Sequence, residues 1–259
     1  MKERFYMKKR KKQLFYSKID HTNVYNTSER KKQARKFIAI LSDHLGKNKL
    51  LQSNVLDVGS STGIISAEIG KKVKSVIGID IDEAGIQYAK KRFVGKTISF
   101  KLYNGKKFPF KKNTFDIITC NQVYEHVVDQ QYLVNEIYRV LKPGGVCEFG
   151  AMSKYCIREP HYNLLFLSWL PYWLADIYIR ITQKGTHYYE RPLSYIQLQK
   201  LFHRFDVYDY TPKIIADPKK YHFTDKIKTN SLMTRLSGMY RYYRAFVSTY
   251  YFVLNKPTH

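Results

Sequence analysis

A chain of 259 residues, 44% of them hydrophobic, can bury one large domain, or one domain carrying a sizeable insertion, without metal or disulfide staples. Its three cysteines, Cys120, Cys147 and Cys156, form no Cys-x-x-Cys pair, which argues against structural zinc and for buried thiols in a reducing, cytoplasmic setting. The formal charge of +24 leaves two readings open: a field that attracts RNA or an anionic membrane face, or a solvated surface.

Residues 1–28 read as a basic N-terminal arm, with the run Lys8, Lys9, Arg10, Lys11, Lys12 among Phe5, Tyr6, Phe15 and Tyr16. No apolar core of about 7 to 15 residues stands behind that run, so no secretory signal is expected. Ala34, Phe37, Ile38, Leu41 and Leu45 recur at helical spacing and predict a helix over 29–45, capped by Thr27 or Ser28.

From Asn54 strand-like and helix-like segments alternate, which predicts a parallel sheet with helices on both faces. Strands are expected at 55–58, 76–80, 98–103, 115–120 and 146–150, and helices at 63–70, 83–93 and 129–141. Pro143-Gly-Gly145 should stop the third helix. The rhythm then breaks for about forty aromatic-rich residues containing Pro160, Pro171 and Pro192, an insertion. Its longest apolar stretch, 164–181, is interrupted by Pro171, Asp176 and Arg180. It therefore falls short of the roughly 18 to 20 residues of a bilayer span and could lie on a membrane without crossing it. A helix at 194–202, with Ser194 and Gln197 in capping-box spacing, and strands at 205–210 and 249–254 complete the pattern.

The stretch Val55-Leu-Asp-Val-Gly-Ser-Ser-Thr-Gly63 is an apolar run that breaks into a glycine-bounded turn and enters a helix; Asp80 ends the next apolar run seventeen residues later. From Gly59, the third position is Ser61 and the sixth is Ile64, so the dinucleotide fingerprint with its pyrophosphate fails. Gly59 and Gly63 still allow close backbone approach, and the Asp80 carboxylate can hold two ribose hydroxyls. A nucleoside without pyrophosphate fits.

This stretch resembles the first motif of class I S-adenosylmethionine-dependent methyltransferases, with Ser60-Ser61 where the family usually has Cys-Gly or a similar pair. Ile77-Gly-Ile-Asp-Ile81, Phe108-Pro-Phe110, Asn113-Thr-Phe-Asp116, Glu125-His-Val127 and Leu141-Lys-Pro-Gly-Gly145 follow in the family's order and are similar to the type 11 branch, which includes methyltransferases of quinone biosynthesis. The resemblance implies a Rossmann-like α/β fold: a seven-stranded, mostly parallel sheet with helices on both faces, an antiparallel last hairpin, and an aromatic helical insertion after strand five. It implies S-adenosyl-L-methionine as cofactor and a methyltransferase domain over 29–259. Within that domain, 50–150 form the cofactor half, 151–193 the acceptor-side insertion, and 194–259 a C-terminal helix and hairpin with a second insertion.

By the same resemblance Gly59, Ser60, Ser61, Thr62 and Gly63 embrace the methionine part, Asp57 belongs to the cofactor-binding set, and Asp80 binds the ribose. Ile81 packs on adenine, Asn104-Gly105 border the adenine amino group, and Asn121 lies beside the methionyl end. Asn104 stands where the family often has Asp and brings no charge. If the acceptor must lose a proton, His126 and His161 are the candidate bases, since imidazole suits that work near neutral pH; the alternative for His126 is capping or packing. A related Glu-x-x-Glu-His metal segment has Gln122 in its first position here, so no metal is expected.

The acceptor expected is small and hydrophobic, lipid-linked or glycan-type, methylated at oxygen or carbon. An anionic membrane surface is a candidate partner, which would make the protein cytoplasmic and peripheral at the inner face. Two rivals stand beside it: an RNA methyltransferase, from the charge and the Tyr/Arg cluster near the C-terminus, and a non-catalytic cofactor-binding protein of membrane surfaces or interactions. No stable protein partner is inferred.

Overall fold

The computed structural model describes residues 24–93 and 95–258. The basic run of the N-terminal arm lies outside the described residues. A seven-stranded sheet forms in the order β3-β2-β1-β4-β5-β9-β8. Its strands are β1 (Asn54–Val58), β2 (Ser75–Asp80), β3 (Ile98–Leu102), β4 (Phe115–Asn121), β5 (Leu141–Met152), β8 (Asp206–Asp209) and β9 (Thr249–Asn255). The first five pair in parallel, and β9 runs antiparallel between β5 and β8, giving the expected last hairpin.

Two apolar layers sandwich this sheet, and the period-2 alternation of the strands feeds both. Val55, Ile117, Val146 and Val253 point to one side, where α1 (Thr27–Leu45), α2 (Lys47–Leu51) and α3 (Ile64–Gly70) supply Ile40, Leu41, Leu50 and Ile69. Leu56, Ile118, Cys147 and Leu254 point to the other, against α5 (Gln130–Val140) and α7 (Tyr195–Leu201), which bring Leu133, Ile137 and Leu198. Each such side chain contributes roughly 1.5–3 kcal/mol on burial. The helix α4 (Glu83–Arg92) packs Ile86 and Ala89 on Phe100 of β3. All three cysteines are free and buried, as their apolar settings predicted for Cys120 and Cys147.

Local capping chemistry is as the sequence implies at α7, where Ser194 and Gln197 form the reciprocal capping box. At α1 the cap is Asn26 rather than Thr27 or Ser28: its side chain accepts the Glu29 N–H at 3.2 Å, and the helix begins at Thr27. An Asn carbonyl reaches the orphan amide that the two hydroxyls, already inside the first turn, do not. The Pro143-Gly144-Gly145 turn does not separate helix from strand. Strand β5 starts directly at Leu141, paired with Phe115, and the turn is a bulge absorbed before Val146 pairs with Ile117.

The insertion has its own small core. A short hairpin, β6 (Arg158–Glu159) and β7 (Leu164–Leu165), precedes α6 (Tyr172–Ile181), and Leu164, Leu167, Ala175, Ile179 and Tyr188 pack together. Beyond β8, α8 (Thr211–Ala216) and short helical turns reach β9. No helix among the described residues is long and apolar enough to cross a membrane.

Candidate active site

The order in which strands are added to the sheet reverses between the parallel neighbours β1 and β4, and the carboxyl ends of β1, β2 and β4 open a crevice there, where α/β sheets bind ligands. The turn after β1 is built by backbone bonds: the Gly59 and Ser60 amides donate to Ile79 O at 2.9 and 3.1 Å, and Gly63 N donates to Ser60 O at 2.9 Å. Gly59 (φ 77°) has Val123 lying where a side chain would begin, and Gly63 (φ 73°) is packed against Phe100 and Ala89. Both positions require glycine for conformation and for space.

Asp80 ties this turn to the second strand. Its carboxylate accepts the Ser61 N–H at 2.7 Å and the Asp82 N–H at 2.9 Å. Burial raises its pKa, opposed by these backbone bonds. Each oxygen keeps acceptor capacity for a ribose hydroxyl. The sequence-predicted residues Gly59, Ser60, Ser61, Thr62, Gly63, Asp80 and Asn121 therefore meet at one edge of the sheet, with Ile81 half-buried beside Asp80. Asp57 sits beneath them, accepting from Ser66 Oγ and from Thr119 Oγ1 at 2.8 Å, so its carboxylate braces β1 to α3 and β4. Asn104 is exposed and turns inward on its own chain, accepting the Lys106 N–H at 3.1 Å just before Gly105.

Helix α1 adds residues that sequence reasoning missed. Arg30 and Phe37 line a small cavity together with Asp57, Gly59, Ser60, Thr62 and Asn121. Thr62 Oγ1 donates to Val24 O at 2.7 Å, drawing the chain before α1 over the loop. Arg30 sits one turn into a helix whose apolar stripe was legible, but nothing local indicated that this helix covers the crevice.

A second cluster lies past β4. Glu125 and His126 occupy a 3-10 turn (Tyr124–His126), and the insertion brings His161 alongside, ring centroids 4.9 Å apart and nearly perpendicular. Ligand-type atoms of Glu125, His126 and His161 lie within 4.8 Å of one another. Glu159 Oε1 bonds His161 Nδ1 at 2.7 Å, and Arg191 N donates to Glu125 O at 2.8 Å, which seats Glu190 beside them. The His161 side chain is 21% exposed, while Glu125, Glu159 and Glu190 are buried. Among the described residues, neither Glu125 carboxylate oxygen has a hydrogen-bond partner.

These surroundings set three different protonation states. Burial, together with the charge of His161, holds His126 down to about 3. Burial alone would also lower His161, but the Glu159 hydrogen bond and the charges of Glu159, Glu190 and Glu125 carry it up to about 9. Burial raises Glu125 to about 7, moderated by His161. At neutral pH His161 is then a cation, and His126 is neutral but weakly basic. Both histidines singled out from sequence meet here. Glu190, missed by the sequence reading, is their neighbour; its only signal was a carboxylate in a run of aromatic residues.

A switch-point crevice with a glycine turn, a carboxylate at the end of the second strand and no pyrophosphate-type glycine spacing is the layout of an α/β protein that binds a nucleoside cofactor. The family described as "Methyltransferase domain" matches residues 56–149. The chain is 30% identical over 184 residues to the ubiquinone biosynthesis O-methyltransferase of Histophilus somni, covering 68% of this chain and 71% of that protein. It is 32% identical over 132 residues to the ubiquinone/menaquinone biosynthesis C-methyltransferase of Desulfotalea psychrophila, covering 50% of this chain but only 52% of that one, about half its length. A crystal structure of a SAM-dependent methyltransferase from Methanosarcina mazei shares the fold with a TM-score of 0.54 at 20% identity, over 85% of this chain and 98% of that one. The chain belongs to the S-adenosylmethionine-dependent methyltransferase family.

The crevice fits that cofactor. The Ser60 and Ser61 hydroxyls and Asn121 Oδ1 are buried without hydrogen-bond partners among the described residues, which suits a ligand rich in amino, carboxylate and hydroxyl groups.

Proposed function

We propose that this protein transfers a methyl group from S-adenosylmethionine to a small apolar acceptor, lipid-linked or phenolic in character, at a hydroxyl oxygen or an activated carbon. The observation that carries this reading is the cluster of Glu125, His126 and His161, walled by the aromatic insertion, at the carboxyl end of β4 that also carries Asn121. The quinone-biosynthesis names of its relatives support an acceptor of this kind.

The cofactor supplies an electrophilic methyl on a sulfonium. Gly59 to Gly63 and Asp80 would hold it, with Asn121 beside its methionyl end. The chain's main lever is to hold the acceptor at attack geometry. Where a hydroxyl must lose its proton, Glu125 is the better acceptor than His126, because its oxygens are otherwise unpartnered and its pKa is matched to neutral pH. Protonated His161, held by Glu159, stabilises the oxyanion that results.

Calorimetry tests the cofactor half. Asp80→Ala should weaken S-adenosylmethionine binding by roughly tenfold or more, from lost ribose hydrogen bonds. Unchanged affinity would sink the assignment. A radiolabelled methyl donor with membrane extracts, with polyprenylated phenols and with RNA then separates the acceptor classes. Label in RNA alone would replace this reading with its nucleic-acid rival.

A further inference from the structure

The exposed surface of the insertion does not resemble that of a water-facing loop. In α6, Ala175, Asp176 and Ile179 face the interior, yet the opposite stripe is also apolar: Trp173 is 51% exposed, Ile177 45% and Ile181 75%. These residues are spaced by four and share one helix face. The hairpin before α6 repeats the division. The facing pair Glu159 and Leu164 is buried, whereas the facing pair Arg158 and Leu165 points outward. Phe166 and Trp169 continue the outward surface, and Trp169 stacks on Phe246 at 5.8 Å. That stack joins the insertion to residues 232–246, which expose Leu232, Met239 and Tyr242. So many large apolar side chains exposed on neighbouring segments mark an interaction site.

Charge around it has one sign. The acidic residues of 151–193 are Glu159, Asp176 and Glu190, and all three are buried. Arg158, Arg180 and Lys184 are exposed, as are Arg235 and Arg241 in a C-terminal stretch, 226–259, that contains no Asp or Glu. None of these five cations forms an ion pair among the described residues.

We infer that the Trp173–Ile177–Ile181 face of α6, with the hairpin and Phe246 beside it, docks on an anionic lipid bilayer. An apolar stripe rimmed by unpaired cations matches an acyl boundary beneath anionic headgroups. A second copy of the chain would oppose two cationic rims, and RNA offers nothing to the aliphatic Ile177, Ile181 and Leu165, which cannot stack on bases. The inference rests on the methyl-transfer reading for its purpose: Glu159, which holds His161, sits on the inner side of the hairpin whose outer side meets the lipid, so an apolar acceptor reaches the site without crossing water.

Flotation of the full chain with phosphatidylcholine vesicles, with and without phosphatidylglycerol, tests this. Binding should require the anionic lipid and weaken as salt rises. The combined change Trp173→Ser, Ile177→Ser, Ile181→Ser should lower vesicle binding by about tenfold or more. Arg180→Glu with Lys184→Glu should weaken it by roughly fivefold per charge removed. Both variants should keep the parent's melting temperature and cofactor affinity, since none of the five residues is buried. No flotation, or unchanged flotation by both variants, overturns the inference. So does a dimer in sedimentation that the α6 variant dissolves, which assigns the face to a second copy, or displacement of vesicles by RNA. Vesicle binding by a chain that fails to bind S-adenosylmethionine would instead overturn the methyl-transfer reading and leave the surface standing.

Discussion

His161 carries a charge that its burial opposes, and Glu159, two residues earlier, is the reason. The pair gives a pH prediction with a definite sign. His161 is raised above its ordinary value of 6.5 to about 9, so its cation persists through neutral pH and is lost as pH rises through that value. Turnover that depends on the cation should hold to about pH 9 and then fall. In Glu159→Gln the carboxylate charge is gone, and the alkaline limb should move down toward or below the ordinary histidine range. A pH profile of kcat/KM whose alkaline limb is the same in both proteins would remove His161 from the mechanism. The histidines were visible in the sequence as residue types suited to proton work. Their different protonation states were not, because these come from desolvation and from carboxylates that the fold brings in.

At the scale of elements, the Leu141-Lys-Pro-Gly-Gly145 turn shows a local signal with a non-local purpose. Read alone, proline and paired glycines end a helix. In the fold they form a bulge onto which the chain's last strand is latched: Gly144 N donates to Lys256 O, and Lys256 N to Gly145 O, each at 2.9 Å. The buried Lys256 ammonium donates to Asn113 Oδ1, Tyr138 O and Leu141 O, binding this turn to α5 and to the entry of β4. Lys256→Met keeps the apolar stem and strands three acceptors. It should cost about 2–3 kcal/mol in urea unfolding, with no change in cofactor affinity until the fold is lost. A cost near zero would mean that water replaces the ammonium freely. The hairpin of the insertion teaches the converse lesson. Its residues are too few for alternation to be read, yet their pairing decides that Glu159 enters the site and Arg158 does not.

Across the whole molecule, one unbroken sheet carries both the glycine turn at the ends of β1 and β2 and the Glu125, His126 and His161 cluster past β4. It should therefore unfold as one unit. S-adenosylmethionine at a hundred times its Kd adds roughly 2.7 kcal/mol, which for a chain of this size raises Tm by about 5–10 °C. Scanning calorimetry should show a single transition that moves as a whole; a second, ligand-insensitive transition would mean that the C-terminal elements fold apart. The sequence by itself determined the unit of strand, glycine turn and second strand ending at Asp80, because its parts are neighbours along the chain and each leaves a periodic or compositional mark. It also marked the insertion as too apolar to be a solvated loop. Only the tertiary structure decided which face of that insertion stays exposed, that α1 covers the crevice, and that Glu190 meets Glu125 across 65 residues. Such contacts are fixed by how the packed layers close on one another, and no local spacing records them.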